Sequence, residues 1–408
     1  MSAQPRKRRT PGEGGAWPYQ IKAGERWRAA GPIQQPDGTT RQVTLRGYLT
    51  KKAALEALKD AQSDGRKGDY VPPSKLTLGA YGREVIDGLR IRPQTKASYS
   101  KNWRLHIEAY SIAHVKLGQL TGTRLTTHYR LLEKSGRKDH REGEGLSART
   151  TRYVHVIVRR ILAQAVRDNL LMRNPADAAT PPSAREARAP EMTCWTAGQL
   201  GTFLAWASEN SQSHALWYVM AHTGMRRGEA LAVRWRNIDL DAGTVSVRRS
   251  AGMVRNAGES AEVTEGDTKS GKPRVVDLDA GTVAVLRAWR KERGLLALQL
   301  ARDDALVFGD IEGSYRNPEH TSRQFVRDVA RCREALGADA VPVIRTHDLR
   351  HTHATILLLA GVPVHVVSQR LGHASAVITL SVYAHVLPGS QRDAADLFAR
   401  LVREASGQ

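Results

Sequence analysis

Apolar positions in the first part of the chain fall in short alternating runs. Trp17-Pro18-Tyr19-Gln20-Ile21-Lys22, Glu25-Arg26-Trp27-Arg28 and Thr40-Arg41-Gln42-Val43-Thr44-Leu45 are separated by Gly24, Gly31 and Asp37-Gly38. Period-two runs broken by turn formers predict a small antiparallel sheet. The period then changes: Thr50 stands as an N-cap, and Ala54, Leu55 and Leu58 share one face of a helix over 51 to about 61. Beyond the linker Val71-Pro72-Pro73, helical periodicity recurs over 78–88, 94 to about 107, 124–134 and 148–169, the last capped by Ser147 or Thr150. This section closes at Thr180-Pro181-Pro182. From about Thr196 the pattern is mixed. Helices dominate there, while Thr244-Val245-Ser246-Val247 and Arg274-Val275-Val276-Asp277-Leu278 alternate as strands. Thr268-Lys269-Ser270-Gly271-Lys272-Pro273 between them is expected to hold a tight turn. The fold class expected is therefore multidomain and mainly α with small β-sheets, divided as 1–66, 74–180 and 190–408.

Charge changes the picture from fold to partner. The chain carries a formal net charge of +21, with a pI near 10.3. So one-sided an excess points to a polyanion, and nucleic acid is the commonest. The basic lead Arg6-Lys7-Arg8-Arg9 has no apolar run behind it to make a signal peptide. No stretch approaches the roughly eighteen apolar residues of a membrane span. Two cysteines, Cys194 and Cys332, without metal-ligand spacing, favour a reducing cytoplasm over a disulfide scaffold or zinc finger. A cytoplasmic protein, nucleoid-associated when bound to DNA, is expected. Candidate phosphate contacts are Lys22, Arg26 and Arg28 on the first sheet, Lys96, Lys101 and Arg104 along one helix, and Arg149, Arg152, Arg159 and Arg160 along another. Trp27 between its arginines reads as a packing residue. The basic loop Arg137-Lys138-Asp139-His140-Arg141 is expected to be mobile.

Chemistry concentrates in the last section. Cleaving a phosphodiester while keeping its bond energy needs a protein nucleophile, donors on the nonbridging oxygens and a proton for the leaving oxygen. Enzymes supply on the order of 20 kcal/mol of barrier reduction for such reactions, mostly by charge stabilisation and positioning. In Thr223-Gly224-Met225-Arg226-Arg227-Gly228-Glu229 a sharp turn leads into a helix. Arg226 offers a planar fork to phosphate, and Glu229 follows one helical turn later to orient it. In Thr346-His347-Asp348-Leu349-Arg350-His351, a helix starting near Thr346 presents His347 and Arg350 on one face. His347 and His351 at i, i+4 could chelate a metal, but Arg350 would repel a cation. Leu371-Gly372-His373 reads as a glycine-terminated helix, and Tyr383 follows in a short helix over 376–385. On the expected turn, Lys269 is the natural donor to the leaving oxygen, with Lys272 and Arg274 competing.

Taken in order, these motifs resemble the tyrosine recombinases of the phage integrase family over almost the whole chain. The stretch 223–235 resembles the family's first-arginine box, His347 to Arg350 its His-x-x-Arg box, and Leu371 to His373 its Leu-Gly-His; Tyr383 falls at the nucleophile position. Lys269 sits in the Lys-Ser/Thr-Gly turn that holds the family's lysine. The second section resembles the helical, SAM-like core-binding domain, with Leu146-Ser147 and Asn174-Pro175 placed as in many members. The first resembles a three-stranded arm-binding domain.

The resemblance implies a mechanism and partners. Arg226, Arg350, His347 and His373 would hold the phosphate while Tyr383 attacks and Lys269 protonates the leaving oxygen, with no metal, ATP or other cofactor. The implied partners are double-stranded DNA at core and arm sites, three further copies of the chain in a tetramer, a DNA-bending host factor and an excisionase. A helix over 391–403 would dock Leu397, Phe398, Leu401 and Val402 on a neighbouring protomer, packing in cis being the alternative. Competing readings are a non-catalytic DNA-binding regulator, a metal-dependent nuclease and a dimer-resolving recombinase. The arm-like section favours integration and excision of a phage or conjugative plasmid.

Overall fold

The computed structural model describes residues 14–35, 38–68, 70–71, 74–137, 144–188, 192–254, 261–268, 271–383 and 391–406. Its chain divides into two units, 1–189 and 190–408.

In the first unit the alternating runs become β1 (Gly15–Ile21), β2 (Gly24–Gln34) and β3 (Thr40–Tyr48), an antiparallel sheet in that order. Helix α1 (Lys51–Lys67) starts at Thr50, whose side chain accepts from the Ala53 amide. Ala54, Leu58 and Ala61 of α1 are buried, and they form one core with Ala16, Ala29 and Ile33. Trp27 packs against that core, as its role required. The helix runs six residues beyond the expected end and stops at Gly68, whose φ of 78° makes a left-handed cap. Gly65 lies inside it for a steric reason: a Cβ there would sit 2.7 Å from the Gln34 carbonyl oxygen.

A separate core within the same unit joins α2 (Leu78–Gly88), α3 (Pro93–Trp103), α4 (Gly122–Ser135) and α5 (Ala148–Arg167). Helix α3 continues through one π-helical turn, Arg104–Glu108. Ser147 is the cap of α5, accepting from the Thr150 amide at 3.3 Å. Of the basic loop 137–141, only Arg137 lies within the described residues.

The second unit begins with α6 (Ala197–Asn210), α7 (His214–Thr223) and α8 (Arg227–Ala232). Strands β4 (Ile238–Asp239), β5 (Thr244–Val247), β6 (Arg249–Val254), β7 (Glu262–Asp267) and β8 (Arg274–Asp277) follow. Then come α9 (Ala280–Leu296), α10 (Pro318–Leu336), α11 (Asp348–Leu359), α12 (Val364–Leu371), α13 (Ala376–Tyr383) and α14 (Gln391–Ala405). The two expected strands do pair, Val245 opposite Val276, with β4 on the far edge of β5. The turn before Arg274, however, joins β8 to β7. A two-stranded ribbon of β6 and β7 that the hydrophobic pattern did not reveal lies between. Trp195, Phe203, Trp217, Trp235 and Phe325 are the large side chains of the main core. Among the described residues, no helix is long and apolar enough to cross a membrane.

Candidate active site

The site grows from the end of α7. Gly224 adopts φ 64° there, and a Cβ on it would meet His353 Cδ2 and Leu371 Cδ2 at 2.8 Å. Only glycine fits both the backbone and the space. The chain then enters α8 at Arg226. The Arg226 amide donates to Glu229 Oε2 at 3.0 Å and its guanidinium to Oε1 at 2.7 Å. Glu229 is 0% exposed, and Arg274 Nη2 donates to its Oε2 at 2.7 Å. Burial alone would raise the Glu229 carboxyl. The hydrogen bond and charge of Arg274, then the amide and charge of Arg226, overcome burial and hold it below the usual range. Arg274 also donates Nε to the Arg370 carbonyl at 2.9 Å. A guanidinium fastened twice is ill suited to follow a leaving oxygen. Lys272 is exposed on the turn, and Lys269 lies outside the described residues.

Helix α11 supplies the second motif. Asp348 in its first turn accepts from the Arg345 amide at 2.8 Å and from Arg345 Nε and Nη2 at 3.0 and 2.9 Å, which fixes the helix start. Arg350 is 2% exposed. Its Nη1 donates to the Gly224 carbonyl at 2.8 Å, while Nη2 is buried without a hydrogen-bond partner among the described residues. Burial, then Arg226 and Arg274 against Glu229, push this guanidinium down to about 9, so it stays charged at neutral pH. His347 caps α11, and its ring lies 5.0 Å from that of His351, edge to face. Its packed surroundings, then His351, Arg350 and Arg226, bring His347 to about 4, although part of the residue faces solvent.

The third motif ends α12 at Gly372, φ 67°, with the His373 amide reaching back to the Ser368 carbonyl at 3.1 Å. This is the glycine-terminated helix that the sequence predicted. His373 Nδ1 lies 2.8 Å from Thr379 Oγ1 on α13. Burial, then Arg350 and Arg226, lower His373 to about 4. At the end of α13, Tyr383 is 1% exposed among Ala354, Leu358, Val367 and Leu371. Its hydroxyl lies 2.7 Å from His351 Nδ1. Burial pushes the phenol up, with Arg350 and Arg226 pulling the other way.

Seven groups from five segments thus converge: Arg226, Glu229, Arg274, Arg350 and His373 around the buried ion pairs, with Tyr383 and His351 beside Arg350. Two of these connections were not read from sequence. Arg274 was visible only as a rival to Lys269, yet alternation on β8 sets it on the side of Val276, 1% exposed, while Val275 is 61% exposed. His351 was read as half of a chelating pair, whereas its Nδ1 is engaged with Tyr383. His353 is structural: Arg370 Nε donates to its Nε2 at 3.1 Å, so its Nδ1 donates to the Ala221 carbonyl at 2.8 Å. Among the described residues, no group of three or more His, Cys, Asp or Glu side chains could hold a metal ion.

The basic candidates of the first unit divide. Lys22, Arg28, Lys101, Arg104 and Arg149 are exposed. Lys96 instead donates to the Asp87 carbonyl at the end of α2, Arg152 to the Pro182 carbonyl, and Arg26 to the adjacent Glu25 carbonyl. Arg159 pairs with Asp177, and Arg160 lies over the Tyr99 ring. On the outer face of the sheet, Trp17, Arg28 and Arg46 stand side by side across three strands, with Trp17 45% exposed.

Both the sequence and the fold have counterparts among known proteins. The ICEBs1 integrase of Bacillus subtilis is 27% identical over 265 residues, 64% of this chain and 67% of that protein. The phiRv2 prophage integrase of Mycobacterium tuberculosis is 26% identical over 385 residues, 92% of this chain and 93% of that protein. The fold resembles the Tn1549 transposon integrase solved with circular-intermediate DNA, with TM-score 0.65 and 17% identity over 80% of this chain and 99% of that one. Lambda integrase on a core site gives TM-score 0.54, 14% identity and coverage of 73% and 91%. The Phage integrase family pattern matches residues 196–389, the stretch that holds every group assembled above. Residues 196–389 therefore form a Phage integrase family domain.

Proposed function

We propose that the protein is a site-specific DNA recombinase that integrates and excises a mobile element such as a phage or conjugative plasmid. Arg226, Arg350, His347 and His373 hold the scissile phosphate while Tyr383 attacks it, giving a 3′-phosphotyrosyl link and a free 5′-hydroxyl. Lys269 protonates the leaving oxygen, and a 5′-hydroxyl from a partner duplex reverses the step. The observation that carries this reading is the buried cluster itself. A guanidinium of Arg350 with an unmatched N–H lies in the same small site as a sequestered tyrosine hydroxyl. The names of the relatives, the ICEBs1 integrase and a prophage integrase, support the mobile-element assignment.

In this reading, residues 1–66 grip arm sites through the face bearing Trp17, Arg28 and Arg46. The helical segment 74–180 tracks core-site phosphates with Lys101, Arg104 and Arg149, and 190–408 is the catalytic domain. Four protomers act on two duplexes, and a DNA-bending host factor and an excisionase set direction. Helix α14, whose Leu397, Phe398, Leu401 and Val402 are exposed, docks on a neighbouring protomer.

Incubation with nicked DNA from the borders of its own element, in EDTA, tests the chemistry. The expected result is a denaturation-resistant adduct with the wild type and none with Tyr383→Phe. Tight, specific binding without an adduct on a proven site would establish the regulator reading instead, and activity abolished by EDTA would establish the metal nuclease.

A further inference from the structure

We infer that His351, outside the proposed phosphate-binding set, positions Tyr383 and accepts its proton during attack; this role rests on Tyr383 being the nucleophile. The phenol oxygen and His351 Nδ1 are 2.7 Å apart, and the phenol has no second hydrogen-bond partner among the described residues. Were Nδ1 protonated, the phenol hydrogen would point unmatched into the apolar cluster of Ala354, Leu358, Val367 and Leu371. A buried hydroxyl left so costs more than the alternative tautomer. Nδ1 is therefore the acceptor. Tyr383 and His351 come from α13 and α11, so the contact also fixes the angle at which the nucleophile enters the site.

The step balances. A bond forms between Tyr383 Oη and phosphorus as the bond from phosphorus to the 5′ oxygen breaks. The phenol proton moves to His351 Nδ1, and the 5′ oxygen takes a proton from the general acid, Lys269 in the proposed mechanism. In religation His351 returns its proton to the departing phenol. Charged and titratable groups around the ring suit this traffic. His347 lies edge to face at 5.0 Å. Burial, then Arg350 and Arg345, keep His351 neutral beforehand, while Asp348 favours the imidazolium. His347, by contrast, has no hydrogen bond to Tyr383, so the two histidines of this helix divide the labour between phosphate and nucleophile.

Cleavage of a nicked core-site duplex by His351→Ala and His351→Asn, with binding measured on the same DNA, tests the assignment. A proton acceptor contributes typically 10²–10⁴-fold, so His351→Ala should cleave about a hundredfold or more slowly with binding retained. Asparagine can keep a hydrogen bond to the phenol but cannot take its proton, so His351→Asn should remain slow; it carries the test should the alanine variant fail to fold. A duplex with a 5′-bridging sulfur at the scissile phosphate needs no proton on its leaving group. It should rescue Lys269→Ala and leave the His351 variants slow. Wild-type rates in His351→Asn would reduce His351 to a hydrogen-bonding prop, and rescue by the sulfur substrate would move it to the leaving-group side. An adduct that survives Tyr383→Phe would overturn the nucleophile assignment itself.

Discussion

Replacing Glu229 by glutamine changes one atom in the most enclosed part of the site. The carboxylate is fully buried and accepts three hydrogen bonds, two from Arg226 and one from Arg274, at 2.7–3.0 Å. Glutamine keeps one acceptor and turns the other oxygen into a donor that faces a donor. Arg226, Arg274 and Arg350 also lose the anion among them. Removing one partner of a buried pair costs about 3–5 kcal/mol, and the retained acceptor softens this to about 2–4 kcal/mol. A unit of this size loses about 2–4 °C of Tm per kcal/mol, so a drop of about 4–16 °C at pH 7 is expected by calorimetry. The pH dependence adds a second signature. The Glu229 carboxyl lies below its ordinary 4.5 when folded. Its contribution is therefore complete above 4.5 and is lost as pH falls through the lower folded-state value. The gap between wild type and Glu229→Gln should accordingly narrow on acidification below 4.5. Equal melting temperatures at pH 7, or a gap indifferent to acid, would refute the view that this carboxylate holds the arginines together.

Two other predictions test the backbone and the proposed DNA-facing surface. Gly224→Ala forces a Cβ into a left-handed position 2.8 Å from His353 and Leu371; a loss of about 1–3 kcal/mol in urea unfolding is expected, with weaker DNA cleavage because Arg350 donates to the Gly224 carbonyl. Neutralising Lys101, Arg104 and Arg149 together should lower the slope of log K against log salt by about three, with little change in preference among core sequences, whereas the engaged Lys96 should change the slope less.

The site was legible in sequence where chemistry is local. His347 and Arg350 share one turn of helix, Gly224 and Gly372 each end a helix, and Arg226 and Glu229 are three residues apart, so spacing alone fixes their relation. What escaped is tertiary. Alternation identified β5 and β8 because Val245, Val247 and Val276 are buried. The ribbon between them has Gly252 opposite Thr264 and Ser250 opposite Gly266, and its side chains give almost no alternating signal. It is held by contacts no pattern announces, such as the close approach of Gly228 to the Ala251 carbonyl, where a Cβ would sit at 2.4 Å. The end of α1 was misplaced for a related reason. Ser63-Asp64-Gly65 reads locally as a breaker, yet Gly65 is there to let the helix lie against β2. The contact between His351 and Tyr383 spans thirty-two positions, and the apparent chelating pair drew attention to the wrong partner.

In the proposed reaction, the charges around the phosphate position would favour the transition state over the bound substrate. Arg226, Arg274 and Arg350 bring three positive charges and Glu229 removes one, leaving two. His347 and His373, both near 4, add none at neutral pH and act as hydrogen-bonding groups. A phosphodiester carries one negative charge, and the five-coordinate phosphorus formed by tyrosine attack carries two when the phenol proton has gone elsewhere. The site therefore matches the latter more closely, which is the condition for binding energy to lower the barrier rather than merely tighten the substrate. The unmatched donors point the same way. Arg350 Nη2 and Arg274 Nη1 are buried without partners among the described residues, each at a cost of about 1–3 kcal/mol. These donors are already desolvated and fixed by Gly224, Glu229 and Arg370 before DNA arrives. Little reorganisation then remains for the moment when charge builds on the phosphate oxygens. Transferring the phenol proton to a neutral His351 completes this matching, because it leaves the second negative charge on phosphorus oxygen, where the arginines are.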